Sequence, residues 1–219
     1  MILETARLTL RPLAESDAAN FHAMVSDPET MRFWDVAAIT DFEMTTEILA
    51  GQLFEVASGS ALYWAIERTA DQTFVGTCDI SDINRQHRRA DIGFLLVRPY
   101  WGMGYAFEAM QAAIAHAKAQ LIPTCENSGA PKPLSRSSRE WEGPGASLRR
   151  EGEGPAAARE SMFPQPGINL QRLSARTHLG NTRSIALLTK LGFQQEGILR
   201  GYVERDNERR DCPVFGLLL

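Results

Sequence analysis

An apolar run that leads into a glycine turn and then into a helix constrains this chain more than any other feature. Ile92-Gly93-Phe94-Leu95-Leu96-Val97 reads as a buried strand. Tyr100-Trp101-Gly102-Met103-Gly104-Tyr105-Ala106 follows, and then Phe107–Ala117, whose alanine-rich composition favours helix. Two glycines and an alanine therefore stand where a strand becomes a helix. Small residues let an anion approach the backbone closely. The first N–H groups of a helix have no partner within it and point outward at its positive end. The junction suits a phosphate group. The plainer alternative is a strand-to-helix turn with glycines for tightness.

The elements around this junction point to an α/β sandwich. Arg7–Leu13 alternates apolar and polar residues, as a first strand does. Ser16 or Asp17 is placed to cap a helix carrying Phe21, Met24 and Val25, which Asp27-Pro28 ends. Met31-Arg32-Phe33-Trp34 is an aromatic loop, either a plug over the core or a substrate wall. Thr40 opens a second helix that ends near Gly59. Leu62–Glu67 and Thr73–Ile80 read as strands around the turn Ala70-Asp71-Gln72. The polar loop Asn84–Arg89 leads to the central strand, Ala90–Val97.

Composition changes abruptly between Ile122 and Gly167, which hold seven of the chain's 11 prolines and six of its 17 glycines. Acidic and basic residues balance there and apolar ones are few, so the segment cannot bury enough surface to offset its ordering entropy. It reads as a disordered insertion at 122–167 in a single domain spanning 1–219; a flexible interaction loop is the alternative. Order resumes with the alternating strand Leu170–Thr177, the loop His178-Leu179-Gly180, and a helix over Thr182–Leu191. Asn181 is its N-cap and Gly192 the residue after its end. Gly197–Val203 and Pro213–Leu219 pair as a final hairpin around Asp206-Asn207.

Several classes of function fall away. A net charge of −4 gives no electrostatic case for nucleic acid or an anionic membrane. No apolar run approaches the ~20 residues that span a bilayer, and the N-terminus lacks a signal-peptide pattern. Cys78, Cys125 and Cys212 are scattered, as reduced thiols of a cytoplasmic protein are. His22, His87, His116 and His178 form no ligand cluster, so no metal is expected. No G-x-x-x-x-G-K-[ST] occurs, which argues against a P-loop enzyme.

The turn Tyr100–Ala106, together with Asn181-Thr182-Arg183-Ser184 and Lys190-Leu191-Gly192-Phe193, resembles the GNAT superfamily of acetyl-CoA-dependent N-acetyltransferases. The opening Thr5–Pro12 and the ending Glu196–Arg200 look like its RimJ/RimL branch, which acetylates ribosomal-protein N-termini. The resemblance covers nearly everything outside Ile122–Gly167. It implies a mixed, mostly antiparallel sheet of six or seven strands flanked by helices, in which two central parallel strands, here Ala90–Val97 and Leu170–Thr177, splay apart to admit the pantetheine arm. It places the diphosphate on the backbone of Gly102, Met103, Gly104, Tyr105 and Ala106. Trp101 stands where the family usually has Gln or Arg. Main-chain groups of Leu95 and Val97 pair with the pantetheine, and Asn181 and Ser184 meet it from one helix face.

The implied reaction is direct attack of a primary amine on the thioester in a ternary complex. Asp91 is the candidate base, acting through water, where relatives commonly carry Glu; its plainer reading is an ion pair with Arg88 or Arg89. The superfamily's frequent tyrosine acid is absent, its aligned position being Leu188, so Ser184 is the candidate proton donor. A backbone N–H near Leu95 is the candidate oxyanion donor. Trp34, Asp79, Asn84 and Tyr202 are the candidate acceptor contacts. The acceptor is expected to be a protein N-terminal α-amine; a small amine (antibiotic, polyamine or amino acid) and a non-catalytic binding protein of this fold are the alternatives. A monomer or homodimer is expected.

Overall fold

The structure, a computed structural model, describes residues 1–119 and 170–219. The insertion expected at 122–167 lies outside the described residues. In chain order the elements are β1 (Leu3–Glu4), β2 (Leu8–Pro12), α1 (Ala18–Val25), α2 (Phe42–Ser58), β3 (Leu62–Arg68), β4 (Thr73–Asn84), β5 (Arg89–Leu96), α3 (Tyr105–Ala119), β6 (Arg172–Arg176), α4 (Thr182–Lys190), β7 (Gln194–Arg205) and β8 (Glu208–Leu218).

The strands form one eight-stranded sheet in the order β1-β2-β3-β4-β5-β6-β8-β7. Seven of them match expectation, and the eighth is the two-residue β1, too short to show a period. All neighbours are antiparallel except β5 and β6. That parallel pair is in register only at Arg89↔Arg172, Ala90↔Leu173 and Asp91↔Ser174. Beyond Asp91, β5 continues to Leu96 without a partner on that side among the described residues, so the sheet opens there, as the resemblance implied.

Strand alternation divides the apolar side chains between two cores. On one face Trp64, Ile66, Cys78, Ile80, Ile92 and Leu96 pack with Tyr105, Ala109, Met110 and Ala113 of α3 and Leu188 of α4. On the other, Ala65, Phe74 and Leu95 pack with Phe21, Met24 and Val25 of α1 and Leu49 of α2. Met31 belongs to this second core at 2% exposure, so it is the plug of the aromatic loop, while Trp34 stands 41% exposed.

Local chemistry explains most boundaries. Asn181 Oδ1 accepts from Ser184 N–H (3.2 Å) and starts α4. The Leu191-Gly192-Phe193 end closes as a Schellman motif, with Phe193 N–H donating to Leu188 O and Gly192 N–H to Thr189 O, both at 3.0 Å. Asp206 and Asn207, with φ of 56° and 61°, make the two-residue turn of the β7–β8 hairpin. Two caps differ from expectation. The cap of α2 is Asp41, not Thr40, accepting from Glu43 N–H. Asp17 does not cap α1 with its side chain; its carboxylate, 2% exposed, is held by Arg11 at 2.6 and 2.8 Å and by Ala14 N–H at 2.9 Å. Two charged donors outcompete a helix amide.

Candidate active site

The junction of β5 and α3 is built as its sequence suggests. Gly102 and Gly104 have φ of +76° and +82°, a region costly for residues with a Cβ. The first helical bond of α3 runs from Glu108 N–H to Gly104 O, so the N–H groups of Tyr105, Ala106 and Phe107 have no acceptor within the helix. Trp101 donates its indole N–H to Leu96 O (2.7 Å) and ties the turn to the end of β5. Its side chain is thereby a structural tether between the turn and the strand end.

The N-terminal segment braces this turn. Glu108, in the first turn of α3, accepts from Thr5 Oγ1 (2.6 Å), Arg7 N–H (2.8 Å) and Arg7 Nε (2.7 Å). Arg7 Nη1 also donates to Met103 O (3.0 Å), and its guanidinium lies 4.8 Å from the centre of the Tyr105 ring. The role of Thr5 and Arg7 was missed in the sequence because their partner is about a hundred residues away. The Thr-x-Arg pattern next to an early-helix Glu was the available signal.

Backbone parity on β5 corrects one expectation. Val97 N–H donates to Val75 O (2.9 Å) and its carbonyl accepts from Tyr100 N–H (3.0 Å). Alternation then turns Leu95 toward β4 as well. Arg88 O meets Gln171 N–H on the other side, and Leu96 O takes the Trp101 indole. The residues whose main-chain groups face the opening are therefore Phe94 and Leu96, one position earlier than Leu95 and Val97.

A cleft of ≈ 1410 Å³ runs from this junction through the opening in the sheet to the α1–α2 face. It brings together Trp34, Asp79, Asp91, Leu95, Trp101, Gly102, Gly104, Tyr105, Ala106, Asn181, Ser184 and Tyr202 of the predicted residues. Three others lie outside its lining. Val97 is enclosed as described. Met103 is exposed with its carbonyl on Arg7. Asn84 is the last residue of β4, and its Oδ1 accepts from His87 N–H (2.8 Å). Asn84, expected on the acceptor side, thus organises the β4–β5 turn. Leu188, in place of the tyrosine, is buried in the α3–α4 core.

The α1–α2 side of the cleft is acidic. Burial pushes the Asp79 carboxyl up to about 6; the Ser81 hydroxyl, donating at 2.9 Å, opposes this, and the charges of Asp91 and Glu55 add to it. Asp79 keeps part of its surface open to the cleft, yet protein surrounds its carboxylate closely enough for desolvation to dominate. Asp91 is also raised by burial, against the pull of Arg176. Its cationic partner is Arg176 on β6 (3.5 Å), not Arg88 or Arg89. Arg176 in turn donates to the Tyr202 hydroxyl (2.5 Å), so Asp91, Arg176 and Tyr202 form a chain across the mouth. Tyr63 donates to Glu55 Oε2 (2.8 Å); burial first, then Asp79 and Glu55, push its hydroxyl pKa up. Among the described residues no group of three His, Cys, Asp or Glu is placed to hold a metal.

The family profile described as an acetyltransferase (GNAT) domain matches residues 7–194. The chain belongs to this family. GNAT enzymes are acyltransferases that use acetyl-CoA, and the outward amides at the head of α3, the unpaired edge of β5 and the through-going cleft fit that co-substrate. The chain is 28% identical over 218 residues to an uncharacterized N-acetyltransferase, p20, of Bacillus licheniformis, covering 99% of this chain and 95% of that one. Its fold is similar to the Salmonella typhimurium acetyltransferase that modifies the N-terminal serine of ribosomal protein L7/L12 (TM-score 0.72, 16% identity, 100% and 99% coverage). It is similar as well to spermidine N-acetyltransferase from Vibrio cholerae, solved with CoA and spermine (TM-score 0.69, 15% identity, 98% and 96% coverage). At these identities the two structures speak to the fold.

Proposed function

We propose that this GNAT enzyme acetylates the α-amine of a protein or peptide N-terminus, by direct attack within a ternary complex. The observation that carries the reading is the shape of the acceptor side. Trp34, ahead of α2, and Tyr202, on β7, are 41% and 50% exposed and stand at an open mouth. A polypeptide leaving the reactive amine has a route to solvent between them, and aromatic rims suit peptide backbones. A second reading, a small polycationic amine, is favoured by the two carboxylates behind that mouth.

Acetyl-CoA supplies the activated acyl group. The chain's part is to hold it and to move protons. Amides of Gly102 to Ala106 receive the diphosphate, helped by the positive end of α3. Phe94 and Leu96 offer main-chain groups to the pantetheine amides and an N–H to the developing oxyanion. Asn181 orients the head of α4, and Ser184 gives a proton to the departing sulfur. Asp79 and Asp91 face the acceptor. Holding amine and thioester together supplies much of the rate, and proton transfer adds to it. Scattered cysteines, of which Cys78 and Cys212 are free thiols, support a cytoplasmic setting.

The test is acetyl transfer measured by mass spectrometry with peptides beginning in Ser, Ala, Thr or Met beside spermidine and putrescine. Preference for peptides by at least about tenfold in kcat/KM is expected. Preference for the polyamines would establish the second reading.

A further inference from the structure

The two carboxylates on the acceptor side are not equivalent. In register, Asp79 of β4 lies opposite Gly93 of β5, and Asp91 lies opposite Ser81. Asp91 has a cation: Arg176 Nη2 stands 3.5 Å from its Oδ2. That cation opposes proton uptake at Asp91, where burial alone would favour it. Asp79 has none among the described residues. Its side-chain hydrogen bond comes from the Ser81 hydroxyl, and the titratable groups packed around it are Tyr63 on β3, Glu55 on α2 and Asp91 on β5.

Gly93 explains where the Asp79 carboxylate goes. A Cβ at residue 93 would lie 2.7 Å from Asp79 Oδ1 and 3.3 Å from Oδ2. The carboxylate therefore occupies the place of the missing side chain, leaning across β5 toward the strand edge that borders the opening. On any other residue at 93 it would be driven back toward β3.

We propose that Asp79 is the group that takes the proton from the acceptor amine, and that Gly93 is the positioning residue that admits its carboxylate to the edge of the opening. This rests on the acetyl-transfer reading above. An acceptor that arrives as an ammonium first loses one proton to water. Its nitrogen lone pair then forms the bond to the thioester carbon while the C–S electron pair leaves with sulfur. One of its two N–H protons passes to Asp79 and from there to water, the other staying on the amide; the thiolate takes a proton from Ser184, which water restores. The net change is one amide and one free thiol formed and one proton released. Burial among acids raises the Asp79 carboxyl to about 6, so at physiological pH it is mostly the carboxylate, yet with more proton affinity than an ordinary aspartate, as a base there needs.

Released thiol is measured from about pH 5 to 9 with acetyl-CoA and a seryl peptide or spermidine, for the intact protein and for D79N, D91N and G93A. The expected result is a kcat that rises with pH through a midpoint of about 6. D79N loses that limb and at least about 100-fold in kcat, with acetyl-CoA affinity by calorimetry within about twofold. D91N retains the limb, and G93A lowers kcat about tenfold or more through displacement of the carboxylate. A limb that survives D79N with kcat near the parent's, or one that D91N alone removes, overturns the proposal. A protein that binds acetyl-CoA but acetylates neither acceptor tells against the functional reading instead. Carbon-13 titration of the Asp79 carboxyl then decides: a midpoint near the ordinary 3.8 overturns the assignment, and one near 6 upholds it.

Discussion

Gly104 has a φ of +82°, and a Cβ there would lie 3.4 Å from the far end of the Arg7 side chain. Gly104→Val should raise the acetyl-CoA dissociation constant at least about tenfold by calorimetry while circular dichroism stays unchanged, because a branched side chain blocks the approach of diphosphate to the amides. Ser184→Ala should lower kcat and leave acetyl-CoA affinity within a few-fold, as loss of a group that acts in the transition state does. Asp79 gives a stability signature of its own. Its folded pKa lies above the unfolded one, so the folded state holds the proton more tightly. Stability from this source is present at low pH and is lost as pH rises from 3.8 to about 6. Asp79→Asn removes that loss and should melt a few degrees above the parent at pH 7, with the two curves converging toward pH 4; calorimetric melting at both pH values checks it. The ranking of Asp79 against Asp91 was not legible in the sequence. Both are strand aspartates, and what separates them is tertiary: the register that sets Asp79 over a glycine, and Arg176 of β6 beside Asp91. The same holds for Phe94 and Leu96: periodicity shows a buried strand, but its parity is decided by Val97 bonding to β4.

Among the elements, the link between the N-terminal segment and α3 carries a prediction that no contact with co-substrate would suggest. Arg7 fixes both the Met103 carbonyl and Glu108, bracketing the turn from outside. Arg7→Ala should weaken acetyl-CoA binding several-fold while the acceptor KM hardly moves, a split that steady-state kinetics with each substrate varied will show. Elements whose ends rest on nearby residues were legible: Asn181 as cap, Gly192 in its Schellman close and the Asp206-Asn207 turn all come from chemistry within a few positions. Where a distant partner intervenes the reading failed. Asp17 has the right residue type and place for a cap, but Arg11 holds it. Arg205 Nη1, bonded to Met31 O at 2.7 Å and Trp34 O at 3.1 Å, ties the aromatic loop to the last hairpin in a way nothing local announces.

At the scale of the molecule, β5, α3 and β6 form a parallel crossover unit within a sheet that is otherwise antiparallel. Such units close with short connections of ~2–6 residues after the helix. A protein with Leu121 joined directly to Ile168 should therefore fold with a melting temperature equal to or slightly above the parent's, since each halving of a loop saves about 0.6 kcal/mol. A fall of many degrees in thermal unfolding would show that the removed segment is structural. The divergence of β5 from β6 has a further consequence for traffic. The junction proposed to hold the co-substrate lies on the α3–α4 face and the acid-lined mouth on the α1–α2 face, so on the proposed reading donor and acceptor meet from opposite sides of one sheet. Neither needs to leave before the other enters, and initial-rate plots should intersect rather than run parallel. A single inhibitor in which an acceptor-like amine is linked to the CoA sulfur would be threaded through the sheet, with the protein closed around its waist, and should dissociate far more slowly than either half alone.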